Sequence, residues 1–212
     1  MRKLYLKIFV IFIFLCNFIF LNLHSQINNT ILVKVGNSLI TSVDLENEIV
    51  TNLVISKQEI TQKSINDNKN YAIQNLIAKL IKKEEAKKYK INNYSKKDLD
   101  NYIITIAKRL DTNPKGLKEI FKQNDIDFVK FTENHRTELV WNTLIFQLYK
   151  NQITINVVEV DSEMENIKEN KSEEELKKIK ENLLNKKKED KLNLFSRSHF
   201  TNLENTISIK FK

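Results

Sequence analysis

The residues of this chain with side chains capable of chemistry are three histidines, one cysteine and many scattered carboxylates, and their spacing argues against most reactions. His24, His135 and His199 stand far apart, and no cluster of His, Cys and carboxylates has metal-ligand spacing. His135 falls on an apolar stripe and reads as a core or boundary residue rather than a ligand. Glu84 and Glu85 are adjacent, but successive positions on a helix point in different directions, so they form no acid–base pair. Gly36 and Gly116 are the only glycines, too few for a phosphate-cradling loop, and no nucleophile elbow is present. The Asn-x-Ser/Thr matches at Asn28, Asn93 and Asn170 are expected by chance in so Asn-rich a chain. No catalytic residue, metal or cofactor follows from this inventory.

What is left is the chemistry of apolar contact. The run Leu139-Val140-Trp141-Asn142-Thr143-Leu144-Ile145-Phe146-Gln147-Leu148-Tyr149 is too apolar for a helix with one buried face. At about 100° per residue, Leu139, Phe146 and Tyr149 fall on one side and Trp141, Leu144 and Leu148 roughly opposite. Such a helix must be sandwiched, with earlier helices on one side and a later segment or a bound partner on the other.

The elements that position this run begin beyond an export signal. Arg2, Lys3 and Lys7 precede the apolar stretch Ile8 to Phe20, broken only by Asn17, and polar Asn22, His24, Ser25 and Gln26 follow. Residues 1–25 have the layout of a signal peptide, with cleavage after Ser25 as the ordinary outcome and a retained membrane anchor as the alternative. Cys16 follows bulky Phe14-Leu15, where a lipid-attachment site needs a small residue. Cleavage therefore leaves a mature chain without cysteine, held together by its core rather than by disulfides. The formal charge of +8 and pI near 9.3 reflect a Lys-, Asn- and Ile-rich composition that AT-rich coding alone can produce, so they weakly support a nucleic-acid partner.

Two glycines and one proline among 212 residues disfavour a turn-rich β fold. The spacing predicts a small hairpin from Thr30 to Ile40 around Gly36-Asn37. Thr41 and Asp44 then form a capping box for a helix through Leu45, Ile49 and Leu53. Residues 56–69 lack a period and their second half reads as a loop. A helix from Asn70 to about Tyr89 follows, with Ile73, Leu76, Ile77, Leu80 and Ile81 inward. Ser95 caps the next helix, and Asn113 with Pro114 starts a short one that Asn124 ends in a left-handed turn. Asp127 starts the long helix that carries the apolar run. Asp161-Ser162 reads as the cap of a charged helix, whose Leu176, Ile179, Leu183 and Leu184 form a narrow stripe able to cover the Trp141 face. Ile207 to Phe211 alternates as a half-buried strand that would pair with the hairpin and bring the chain ends together.

This order of elements resembles the SurA N-terminal domain family, periplasmic chaperones of outer-membrane proteins. The resemblance covers about residues 31–164. It is carried by the strand pair Ile31 to Ile40, the Thr41-Ser42-Val43-Asp44-Leu45 start, "LIAKLIKKEEAKKYKI", "SKKDLDNYIITIAKRL", "IFKQNDID" and "FVKFTENHRTELVWNTLIFQLY". Asn124 stands where relatives often have Gly. In that family a C-terminal helix and strand return to complete the domain after one or two parvulin-type prolyl-isomerase domains. Here residues 173–212 resemble the returning segment, and only about ten residues, Glu165 to Glu175, stand in place of the insertion. A parvulin domain of roughly a hundred residues cannot fit there.

The resemblance implies a mainly α domain over residues 26–212, with a small hairpin joined by the C-terminal strand. It also implies a periplasmic, ATP-independent chaperone without enzymatic activity, whose partners are unfolded exported polypeptides, foremost outer-membrane precursors. An apolar groove with a lysine rim would bind them, with Trp141, Leu144, Leu148, Phe146 and Tyr149 as candidate client-binding residues. Three rival readings are a membrane-anchored scaffold or assembly subunit with transient or permanent membrane contact, a prolyl isomerase by descent, and nucleic-acid binding through the lysine surplus. The last is disfavoured by export and by the lack of a concentrated basic-aromatic face. Oligomeric state does not follow from the sequence.

Overall fold

The hairpin at the start of the domain turns where glycine allows it. In the computed structural model, which describes residues 29–168 and 171–212, strand β1 (Ile31–Val35) pairs antiparallel with β2 (Ser38–Thr41). Gly36 makes the turn at φ +55°, a left-handed conformation that favours glycine, and its N–H donates to the Ser208 carbonyl at 2.9 Å. The signal segment, with Cys16, His24 and the Asn28 site, lies outside the described residues, as does Asn170.

Alternation decides the faces of β1. Val33 and Val35 are fully buried, whereas Lys34 between them is exposed. The last strand, β3 (Ile209–Phe211), adds antiparallel to the free side of β1 with Val35 opposite Ile209 and Val33 opposite Phe211, giving the order β2-β1-β3. The expected pairing of the C-terminal strand with the hairpin is therefore present.

Helix α1 (Ser42–Ile55) begins at the expected capping box: Asp44 accepts from the Thr41 N–H at 2.8 Å, and Thr41 Oγ1 accepts from the Asp44 N–H at 3.3 Å. Helix α2 (Gln62–Lys88) starts eight residues before the expected Asn70, so the supposed loop in the second half of 56–69 is helical. Its start is fixed by Thr61 and Ser64, which cap each other's amides at 2.9 and 3.1 Å, and Ile65 anchors the first turns on the core. Serine rather than an acid at the third helical position hides this box from the usual signature.

Helix α3 (Lys96–Arg109) is capped by Ser95, and α4 (Pro114–Gln123) by Asn113, whose Oδ1 accepts from Lys115 and Gly116 at 3.0 Å. The left-handed residue after α4 is Asp125, at φ 54°, and not the expected Asn124, at φ −108°. Asn124 instead donates its side-chain amide to the Ile120 carbonyl at 2.8 Å and closes the helix end without a positive φ.

Helix α5 (Phe128–Tyr149) is capped by Asp127 and followed by a 3₁₀ turn at Lys150–Gln152. Asp161 and Ser162 lie inside a short helix, α6 (Val157–Glu165), rather than capping the charged one. Val160 and Met164 of α6 are buried, and that apolar pair needs a helix beneath it. The charged helix α7 (Glu173–Thr206) is capped by Ser172 with Glu175 and has no fully buried residue.

The fold is mainly α, with its core in three clusters. One joins the sheet to α1 and α2 through residues such as Ile40, Ile49, Leu53 and Ile81, and a second joins α3, α4 and the start of α5 through Ile106, Leu117, Phe121 and Phe131. The third joins the end of α2, the second half of α5 and α7 around Trp141, Leu144 and Ile145. Phe200 and Leu203 of α7 touch both the first and third clusters, which places the returning helix across the domain.

Candidate functional site

The apolar run of α5 is sandwiched as its pattern requires, and α7 supplies the second layer. Trp141 is 2% exposed and Leu144 1%. The indole N–H of Trp141 donates to Ser196 Oγ at 2.8 Å, which satisfies its one polar atom, and Phe200 packs edge-on to the ring at 6.3 Å and 89°. Leu192 and Leu203 complete the cover.

The covering residues differ from Leu176, Ile179, Leu183 and Leu184. Ser196 lies twelve residues beyond Leu184, or about 18 Å further along a helix that rises 1.5 Å per residue. The stripe at 176–184 therefore stops short of the Trp141 face, and Leu176 lines a cleft shared with α6. The true seam, Leu192, Ser196, His199 and Leu203, is spaced four, three and four residues apart, a legible helical period that a small and an ionisable residue conceal.

Tyr149 joins the Trp141 side instead of the Phe146 side. Its ring stacks on Phe195 at 4.7 Å and 2°, and its hydroxyl lies 2.8 Å from His199 Nδ1. On the other edge of the imidazole, Nε2 lies 3.2 Å from Oε1 of Glu85, a buried carboxylate that Lys88 also approaches at 3.6 Å. The arrangement is satisfied when the phenol donates to Nδ1 and Nε2–H donates to the carboxylate. Burial, aided by nearby Tyr89 and Glu85, pushes the Tyr149 hydroxyl above its ordinary pKa, which keeps it a protonated donor and a poor nucleophile. The three groups form a latch between α2, α5 and α7 that sequence reasoning missed, because its members are distant in sequence.

Leu148 is half-buried beside this latch, and Phe146 is 50% exposed on the outer face. Of the five candidate residues, then, Trp141, Leu144, Leu148 and Tyr149 are drawn together along α7 and Phe146 is left on the surface. His135 behaves as the boundary residue its stripe suggested. It stacks on Tyr102 at 3.4 Å and 5°, and burial lowers its pKa against the opposing pull of Glu138.

Two open surfaces flank the closed face. Between α6 and α7 lies a cleft of about 940 Å³ with Met164 and Leu176 among acids and lysines. Lys180 and Asp161 join the two helices at this cleft at 2.7 Å, and beyond it Lys187 holds Glu159 and Glu163 at 2.6 and 2.7 Å. The other surface is a groove between α2 and the first half of α5, made of two recesses of about 200 and 190 Å³. Among the described residues no group of three or more His, Cys, Asp and Glu is placed to hold a metal ion, and no helix is long and apolar enough to cross a membrane.

The described residues form a mainly α fold whose N-terminal hairpin is joined by the C-terminal strand and whose grooves are edged with lysine. The match to a family model makes the fold particular: over residues 1–145 the chain matches the SurA-like N-terminal domain, and it belongs to that family, which is of the chaperone type. The match includes the N-terminal segment and runs to within a turn or so of the end of α5; α6, α7 and β3 lie beyond it. Among curated proteins none matches this sequence.

Proposed function

We propose that this protein is a periplasmic, ATP-independent chaperone that binds unfolded polypeptides, outer-membrane precursors foremost, and keeps them from aggregating without enzymatic turnover. In this reading residues 1–25 are an export signal and residues 26–212 form a single chaperone domain. The observation that carries it is the cover of α5. The face of Trp141, Leu144, Leu148 and Tyr149 packs against α7, a helix with no fully buried residue, together with Ala86 and Ile91, while Phe146 on the outer face stays exposed. Lifting α7 exposes a continuous aromatic and aliphatic face at low cost relative to global unfolding. Lysines along the neighbouring helices keep a loaded complex soluble.

The test is suppression of aggregation of an unfolded outer-membrane protein by the purified exported chain, read by light scattering. Suppression that grows with the molar ratio of chaperone to client is the expected result. No suppression at several-fold excess overturns the reading. A second reading, a membrane-anchored scaffold, is favoured by the basic start and the apolar stretch from Ile8 to Phe20. Mapping the mature N-terminus separates the two, since a scaffold would retain that stretch.

A further inference from the structure

Helices α2 and α5 lie side by side, joined by Lys82 to Glu138 at 2.5 Å, and the two recesses between them share one wall. The first has an apolar floor of Leu39, Ile40, Leu76 and Leu80, and the second of Ala86, Ile91 and Val140. Lys83, Glu133 and Thr137 line both. Each recess has room for one large apolar side chain.

The charges around this groove are almost all paired internally. Lys79 donates to both oxygens of Glu48 at 2.7 Å, and Lys130 bonds Asp44. Arg136 holds Glu133 at 3.0 Å and lies 5.1 Å over the Tyr94 ring. Lys87 is 3.8 Å from Glu84. The carboxylates lining the groove, Asp44 and Glu133, thus each have a cation of their own. Lys83 is the exception: it is exposed, and among the described residues it has no hydrogen-bond or ion-pair partner. An unpaired ammonium therefore stands on the wall common to two apolar recesses.

We infer that this groove binds an extended polypeptide segment of the pattern apolar–acid–apolar, one apolar side chain in each recess and the carboxylate on Lys83. This rests on the polypeptide-binding reading above and specifies the chemistry of its client. The spacing fits. By the residues that line them, the recess centres are about three to six residues apart along the helices, about 5–9 Å at 1.5 Å per residue. Residues i and i+2 of an extended chain lie about 6–7 Å apart on one face. The intervening residue points away from the floor, toward the rim, where the flexible four-carbon stem of Lys83 reaches it. A basic residue in that place meets an uncompensated positive charge, and a neutral one leaves the ammonium unpaired.

The test uses the full exported chain and three fluorescent peptides that differ only in a central Glu, Gln or Lys between two Leu residues, with binding read by anisotropy. The Glu peptide is expected to bind about two- to five-fold tighter than the Gln peptide, as an exposed ion pair allows, and the Lys peptide weakest. The difference shrinks with added salt. Lys83→Glu, a change at an exposed position whose folding is checked by circular dichroism, is expected to reverse the order. Equal affinity for the three peptides, or an order unchanged by Lys83→Glu, overturns the inference. If no peptide binds while aggregation is still suppressed, this groove assignment falls and the chaperone reading stands; if neither occurs, both fall.

Discussion

The first half of α5 is mostly polar with a single apolar stripe, the second half is apolar on both sides, and the two are held in different ways. The aromatic packing of the first half comes from neighbours that precede it closely in the chain, with ion pairs from Lys130 to Asp44 and from Lys82 to Glu138 tying it to α1 and α2 as well. Phe131 packs edge-on against Phe121 at 4.9 Å and 80° and stacks with Tyr102 at 5.5 Å, and Tyr102 in turn covers His135. The second half is held by a segment that arrives much later: Trp141 and Ser196 are 55 residues apart, Tyr149 and His199 are 50, and Glu85 and His199 are 114. Closing such long loops costs more entropy than closing short ones, and the contacts that result include hydrogen bonds whose net worth is modest. In the chaperone proposed above, a helix packed early at its start and held at its end by a late-arriving segment would suit a binding face that is covered when empty.

The most severe way to break the comparison is to remove the anchor of the first half. Phe121 is fully buried, so Phe121→Ala leaves a cavity and is expected to cost about 3–5 kcal/mol. Because the cluster around it joins α3, α4 and α5, the loss should appear in the global unfolding transition under denaturant. A variant in which only part of the molecule melts would show that the first half is not the rigid one.

A smaller and more selective change acts on the latch. His199→Ala strips the partner from the Tyr149 hydroxyl and from the buried Glu85 carboxylate, at an expected cost of about 1–3 kcal/mol. Hydrogen exchange should accelerate along residues 192–206 of α7 while α3 and α4 keep their protection. Uniform acceleration through the whole domain would abolish the distinction between the two halves.

Much of this architecture was legible because it is written in local chemistry. Thr41, Ser95, Asn113 and Asp127 cap the helices they were expected to cap, since each cap depends only on a few consecutive residues. The doubly apolar run from Leu139 to Tyr149 announced a sandwich. What was illegible depended on length or distance. The start of α2 at Thr61 was hidden by a serine in place of an acid, and the left-handed position fell on Asp125 rather than Asn124 because the side chain of Asn124 reached back to Ile120. The helix covering Trp141 was identified, but its register was not. A helix of 34 residues whose charges crowd into residues 173–191 leaves its register to specific pairs, here Ser196 and His199. The candidate binding residues followed from apolar pattern alone, which cannot distinguish a face closed by its own chain from one open to solvent.

The mildest change tests whether the first half owes its stability partly to charge. Asp44 is pulled in both directions: burial raises its pKa, but hydrogen bonds from Lys130 and from the Thr41 backbone and hydroxyl, with the Lys130 charge, outweigh this and hold it below the ordinary carboxylate value. A depressed folded-state pKa means the stabilisation is fully present above the unfolded value, about 3.9, and is lost as pH falls through the folded value. Asp44 ties the start of α5, through Lys130, to the first turn of α1. Wild type should therefore lose stability more steeply than Asp44→Asn below about pH 4, and near neutrality the variant should be weaker by about 0.5–1 kcal/mol. Thermal unfolding midpoints of both proteins between neutral and acid pH read the difference. Parallel curves would mean that α1 holds α5 by packing alone, and the first half would then be rigid for a single reason.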